Sequence, residues 1–312
     1  MSYYNLGMFW QEGTPPDPGV RAIFAGNGST ITNVIQYLDM GTDSNTTDFG
    51  DLTVARYLCA GASSSTRGVI AGGTDSGFSP SNVIDYITIA STGNATDFGD
   101  LTSTISGLAG LSSSTRACFA GGLDANIFAV TNTIGYITIA STGNATDFGD
   151  LTQARQFPAG CGSTTRGVIG GGNTSAFGSA YVNTIDYITI ASTGNATDFG
   201  DLTVAREQLA ATSSSTRALF AGGTETTSSV NTIDYIAIAS TGNATDFGDL
   251  TGAGYGIAGT GNAVTALFAG GVGLSNQIQQ VTIASTGNAT DWGDLLSSAY
   301  LMAACSSGHG GL

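Results

Sequence analysis

The side chains with chemistry to offer in this chain are acidic, and they recur. An Asp-Phe/Trp-Gly-Asp core begins at Asp48, Asp97, Asp147, Asp198, Asp246 and Asp291. Paired carboxylates such as Asp97 and Asp100, close to Asn94, are hard oxygen donors of the kind that hold Ca2+. The same residue types also serve turns, with the first Asp accepting backbone N–H groups and the second facing an Arg. The second use is the expectation here, so no metal is assigned. Asp97-Phe98-Gly99 spells the magnesium motif of protein kinases, but the chain has no lysine to hold nucleotide phosphates and no His-Arg-Asp loop.

Other reactive groups are sparse. The single histidine, His309, lies in a glycine-rich tail and offers no basis for a Ser-His-Asp triad or a histidine metal site. Cys59, Cys118, Cys161 and Cys305 fall at four different places in the repeat, without metal-ligand spacing, and read as small buried hydrophobes. The Asn-x-Thr triplets at Asn94, Asn144, Asn195, Asn243 and Asn288 read as turn residues. These observations predict no catalytic residue, no cofactor and no enzymatic activity.

What positions these residues is a repeat. The stretch Ile87 to Thr102, ITIASTGNATDFGDLT, returns almost unchanged at residues 137–152, 188–203 and 236–251, with looser copies at 38–53 and 282–295. Successive acidic cores are 49, 50, 51, 48 and 45 residues apart, the period of a repeat architecture. Each unit divides into four short β-like runs, in unit two Tyr57 to Ala62, Arg67 to Gly73, Asn82 to Ser91 and Asp97 to Thr102. The third run is apolar on both faces, as in a small sheet packed between two neighbours.

Segment lengths add to this. From the Asn that opens run three to the acidic core is 15 residues in all six units, and from that core to the next run two is 19. The spans between runs two and three are 12, 15, 16, 17, 14 and 11, so one loop per unit is free to vary. Those loops share a face and carry Phe78, Phe128, Phe177 and Tyr181, which suit stacking on sugars, anchoring a protein contact, or covering gaps between units. Unit one begins at Arg21 without a first run, and the tail from Leu295 to Leu312 has the register of residues 52–69. The C-terminal strand, Ala299 to Ser307, is therefore expected to complete the N-terminal sheet.

Residues 1–19 match no part of the repeat and form an aromatic and proline-rich arm with Tyr3, Tyr4, Phe9 and Trp10. The arm either packs along its own repeats or docks on a neighbouring subunit. Net charge is -15, and every Arg occupies a repeat position, which argues against nucleic acid or an anionic membrane as partner. No apolar run is long enough to span a bilayer, and no signal peptide is expected.

The order R-x-[VIF]-[IF]-[AG]-G-G, N-x-I-x-Y, D-[FW]-G-D-L-T-x-A-R resembles the kelch repeat, with its double glycine, following tyrosine and late aromatic. The likeness covers residues 20–312. It implies an all-β, six-bladed kelch-like β-propeller with four antiparallel strands per blade. Phe stands for the usual Trp in five units, and Gln280 replaces the Tyr of unit six. The phrase YITIASTGNATDFGDLT also resembles repeats of structural and fibre-associated proteins of marine tailed bacteriophages. That resemblance implies a non-enzymatic binding module of a virion assembled in the host cytoplasm. Its partners would be other virion proteins and a host-surface glycan or protein. The alternative reading is a secreted or surface-attached bacterial lectin-like propeller, with a glycan-acting enzyme third.

Overall fold

The computed structural model describes residues 20–226 and 228–312, so Tyr3, Tyr4, Phe9 and Trp10 lie outside the described residues. The fold is all-β and β-propeller-like, with no helix among the described residues. Six four-stranded antiparallel sheets follow the six sequence units. In unit two the strands are Ala60–Ser63, Arg67–Ala71, Val83–Thr88 and Thr96–Asp100, hydrogen-bonded in that order. In the first sheet the strand beside Arg21–Ala25 is Ala303–Ser306 from the other end of the chain, pairing Ala22 with Ser306 and Ala25 with Ala303.

The boundaries differ from the sequence expectation for a local reason. The first strand of unit two starts at Ala60, because Leu58 takes a left-handed conformation (φ 59°) and Tyr57 pairs instead with Thr74. The final strand shortens likewise to Ala303–Ser306 behind Leu301 (φ 56°). A seventh sheet, three-stranded and absent from the expectation, joins Ile105–Ser106, Leu123–Asp124 and Ala129–Val130. Units two, four and five form isolated bridges at the matching places, such as Gln156 to Asn173 to Tyr181. The small sheet is thus a fuller version of loop pairing that those units share.

Among the described residues there is no single core. The buried apolar residues fall into six clusters, each straddling two successive units, and one of them joins Leu267 and Ile278 of unit six to Phe24 and Leu38 of unit one. Strands two and three are therefore apolar on both faces, because each sheet is sandwiched between neighbours. First strands are built from Ala, Gly, Ser, Cys and Thr almost throughout, since they crowd together. A side chain at Gly61 would strike the Ala304 carbonyl, and one at Gly110 the Gly61 carbonyl.

The repeated words encode the joint between units. In each of the six four-stranded sheets the fourth strand carries a β-bulge at its aromatic residue, so that in unit two Ile84 pairs with Gly99 and Asp85 with Asp97 while Phe98 is skipped. The bulge turns Phe98 inward, 2% exposed, edge-on to Tyr86 at 6.0 Å. Gly99 (φ 142°) then lies so close to the Gly143 carbonyl of unit three that no Cβ fits. Asn144 accepts the Asp100 N–H at 3.1 Å. The same Asn-to-Asp bond links each unit to the one before it, from Asn94 to Asp51 through Asn288 to Asp249, and Asn45 of unit one accepts from Asp294 of unit six.

The acidic cores and arginines divide differently from the expectation. Arg56, Arg155 and Arg206 pair not with the cores but with strand-three carboxylates, Asp85, Asp186 and Asp234, at 2.9, 3.1 and 3.0 Å, each pair fully buried. Asp85 also accepts the Thr53 hydroxyl (2.7 Å) and N–H (3.2 Å). The core carboxylates remain on the outermost strands, where Asp97 is exposed. Charge and a bulge on an outer strand both discourage edge-to-edge pairing with another sheet, which gives the acidic words a structural purpose.

Candidate binding surface

Three of the four loop aromatics stand out in solvent. Phe78, Phe128 and Phe177 are 76%, 71% and 81% exposed, at the tips of the loops between strands two and three of units two, three and four. They do not fold back over the gaps between units. Tyr181 differs, being half-buried with its hydroxyl donating to Ser179 Oγ at 3.3 Å. Among the described residues no ring contact joins the three phenyls, so each is presented singly.

A polar clamp shapes each loop. Asp75 Oδ1 accepts the N–H groups of Gly77 and Ser79, at 2.8 and 2.9 Å, and Phe78 sits between them at φ 60°. Asp124 accepts from Asn126 N–H and from Ser103 Oγ, ahead of Phe128 at φ 51°. Asn173 Oδ1 accepts from Ser175 and Ala180, its amide donates to the Gly178 carbonyl, and Phe177 lies in the span so closed. A left-handed conformation is costly for an aromatic residue, by roughly 1–3 kcal/mol, and persists where its surroundings determine it. The clamps supply that determination and hold the rings outward.

The second feature lies where the first strands meet. Leu58, Gly107, Phe157, Gln208, Gly256 and Leu301 occupy one repeat position, all at φ 54–66°. Each N–H donates to the carbonyl of the preceding member: Gly107 to Leu58 (3.0 Å), Phe157 to Gly107 (2.7 Å), Gln208 to Phe157 (3.1 Å), Gly256 to Gln208 (2.8 Å), Leu301 to Gly256 (2.7 Å) and Leu58 to Leu301 (2.9 Å). The series returns to its start. It rims a cavity of about 120 Å³ with Leu58, Phe157, Gln208 and Leu301 in its wall. A second cavity, about 50 Å³, is walled by Ser63, Ser112, Ser213 and His309.

The tail fills the far end, a role for His309 that its place in a glycine-rich stretch did not reveal. Hydroxyls stitch neighbouring first strands together, Ser63 to the Ser306 carbonyl, Ser112 to that of Ser63 and Ser213 to that of Gly162. Gly261 has no hydroxyl to offer the Ser213 carbonyl, and the Gly310 N–H donates there instead at 3.0 Å. His309 Nε2 lies 3.0 Å from the Ser63 carbonyl and 3.2 Å from Ser112 Oγ, while Nδ1 accepts the Gly311 N–H at 3.0 Å. Those partners require the neutral ring with its proton on Nε2. Burial pushes the imidazole pKa below its ordinary 6.5, against the opposite pull of the Ser63 carbonyl.

A pH dependence follows. A depressed folded pKa means that the unfolded chain binds the proton more readily, so this contribution to stability is complete above pH 6.5 and declines as pH falls through the folded value. Glu207, whose pKa burial raises above 4.5 against the hydrogen bond from Asn173, acts in the opposite sense. The expected result is a fall in the melting temperature of the wild type relative to His309→Gln as pH drops below 6.5. Parallel melting curves across that range would show that the ring does not titrate with unfolding.

The four thiols are free and buried, and burial pushes Cys59 to about 11 and Cys118, Cys161 and Cys305 to about 12, which makes them packing groups and not nucleophiles. No protein-family model matches the chain, and no curated protein is significantly similar to it.

Proposed function

We propose that the chain is a six-bladed kelch-like β-propeller, closed by its C-terminal strand, that serves as a non-enzymatic structural or fibre-associated binding module of a tailed-phage virion. Its contact face is the one carrying Phe78, Phe128 and Phe177, and the partner is a neighbouring virion protein or a host-surface glycan or protein. Six seams, six Asn-to-Asp bonds and a backbone series that ends where it began support six blades and closure. Support for the phage assignment is the likeness of the repeated phrase.

The observation that carries the binding reading is the exposure of three phenyl rings, each above seven-tenths, on hydrogen-bonded loops of successive units. Rigid aromatics lose little conformational entropy on contact and are the usual anchors of interfaces. A reading as an enzyme lacks comparable support, because His309 is occupied by the Ser63 carbonyl and the Gly311 N–H.

The test is Phe78→Ala combined with Phe177→Ala. Binding of the labelled double variant to host cells and to the purified particle should fall about tenfold or more. Its melting temperature should stay within about two degrees, as for most surface changes. Normal binding, or binding lost only together with the fold, would overturn the loop-face reading.

A further inference from the structure

The exposed apolar side chains at the tips of the variable loops lie on one half of their face. Phe78, Phe128 and Phe177 are joined by Ile127, 65% exposed beside Phe128, so units two, three and four each present an apolar tip. The matching loops of units one, five and six present none among the described residues. There Ile31 and Val230 are half-buried, and Leu274, 7% exposed, lies against Gly254.

Around the three tips the amide and carboxylate heads are engaged within their own units. Asp124 accepts the Asn126 N–H through Oδ1 and the Ser103 hydroxyl through Oδ2, and the Asn126 amide donates to that hydroxyl oxygen at 2.8 Å. Asn173 uses both ends of its amide, Gln156 Nε2 donates to the Ser175 and Ala176 carbonyls, and the Tyr181 hydroxyl donates to Ser179. A sugar stacked on a phenyl ring also needs directional partners for its hydroxyls, because a polar group buried without one costs free energy. The charge on this face is negative. Asp75 and Asp124 are half-buried beside the first two tips, and Glu225 is half-buried on the loop of unit five. None of the eight arginines balances them. Arg21, Arg67, Arg116, Arg166 and Arg217 open strand two at its end remote from these loops, and Arg56, Arg155 and Arg206 are fully buried in ion pairs.

We propose that the partner of this face is a protein whose contact patch is apolar and bordered by lysine or arginine, and not a glycan. The proposal rests on the loop-face reading above and narrows its partner. Phenyl and isoleucyl tips fit apolar sockets, and the carboxylates beside them fit a basic rim, the division between dry centre and polar border that protein interfaces use. A second copy of this chain meets the face with the same negative charge, on a molecule of net charge -15, and so does an anionic bilayer.

The experiment measures binding of the labelled full-length protein to host cells and to the purified particle, each untreated, digested with protease, or treated with periodate, which cleaves the vicinal diols of sugars. Protease should abolish the binding and periodate should leave it within about twofold. Raising salt from about 20 to about 300 mM should slow association about tenfold. Asp75→Asn with Asp124→Asn, which keeps the Oδ1 acceptors of both clamps, should flatten that salt dependence. Ile127→Ser should weaken binding about threefold or more while the melting curve stays in place. Binding lost to periodate and not to protease, equal binding to protein-free phosphatidylcholine vesicles, or association indifferent to salt would each overturn the proposal. The loop-face reading survives such a failure if Phe78→Ala with Phe177→Ala still lowers the binding that is seen.

Discussion

Removing everything after Leu295 should leave a chain that aggregates or melts without a cooperative transition. The cut takes away the strand paired with Arg21–Ala25, exposing one edge of the first sheet and its unpaired N–H and C=O groups. It also strips Ala299, Met302, Ala303 and Cys305, all buried, from the clusters that join unit one to its neighbours. Burying one Met-sized side chain contributes about 1.5–3 kcal/mol, and a whole domain is stable by only about 5–15 kcal/mol. Losing a strand and part of two cores exceeds what such a margin absorbs. A truncated protein with the full chain's solubility and melting curve would contradict the pairing.

Breaking one buried ion pair should cost nearly as much as a single substitution can. Arg56→Ala leaves Asp85, fully buried, with only Thr53 to satisfy it, and an unpaired buried charge costs about 3–5 kcal/mol. The chain itself shows how the cost is avoided. Where Arg is absent, the strand-three Asp is absent too: Ala299 goes with Gln36, Ile105 with Gly135, and Gly254 with Gln279. Gln36 Oε1 accepts the Leu296 N–H and the Thr46 hydroxyl, and Gln279 Oε1 accepts the Thr251 N–H, so a neutral amide does the carboxylate's work. Arg56→Ala with Asp85→Gln should therefore recover most of the loss in denaturant unfolding. A double variant no more stable than the single one would show that the charge is not the origin of the cost.

The parts of this fold legible in the sequence are those set by local pattern and by length. Four runs per unit follow from β-branched alternation and paired glycines, and the fixed 15- and 19-residue spans placed the tail in register with a missing first strand. The variable loops marked the face on which Phe78, Phe128 and Phe177 emerge. Contacts between units left no such trace. Asn144 bonds Asp100 across 44 residues and Arg56 reaches Asp85 across 29, and neither distance has a periodicity to detect. From sequence the acidic core therefore reads as a partner for Arg, whereas it is an edge-strand bulge. Conformations at single residues were equally silent. Nothing in Leu58 or Leu301 as residue types announces a left-handed backbone, because the bond each makes to a neighbouring unit is what holds it there. From sequence His309 reads as tail for the same reason, its partners Ser63 and Ser112 lying far away in the chain.

Native-state hydrogen exchange at the amides of Leu58, Gly107, Phe157, Gln208, Gly256 and Leu301 tests most directly the proposed closure of six units on one another. In an open array the amide of Leu58 has no preceding unit to bond and exchanges as a surface turn does, whereas closure gives it the Leu301 carbonyl at 2.9 Å. Closure predicts that all six amides exchange only through the global opening of the fold, with Leu58 as slow as Phe157 or Gln208. A Leu58 amide that exchanges at the rate of an exposed loop, while the other five stay protected, would contradict it.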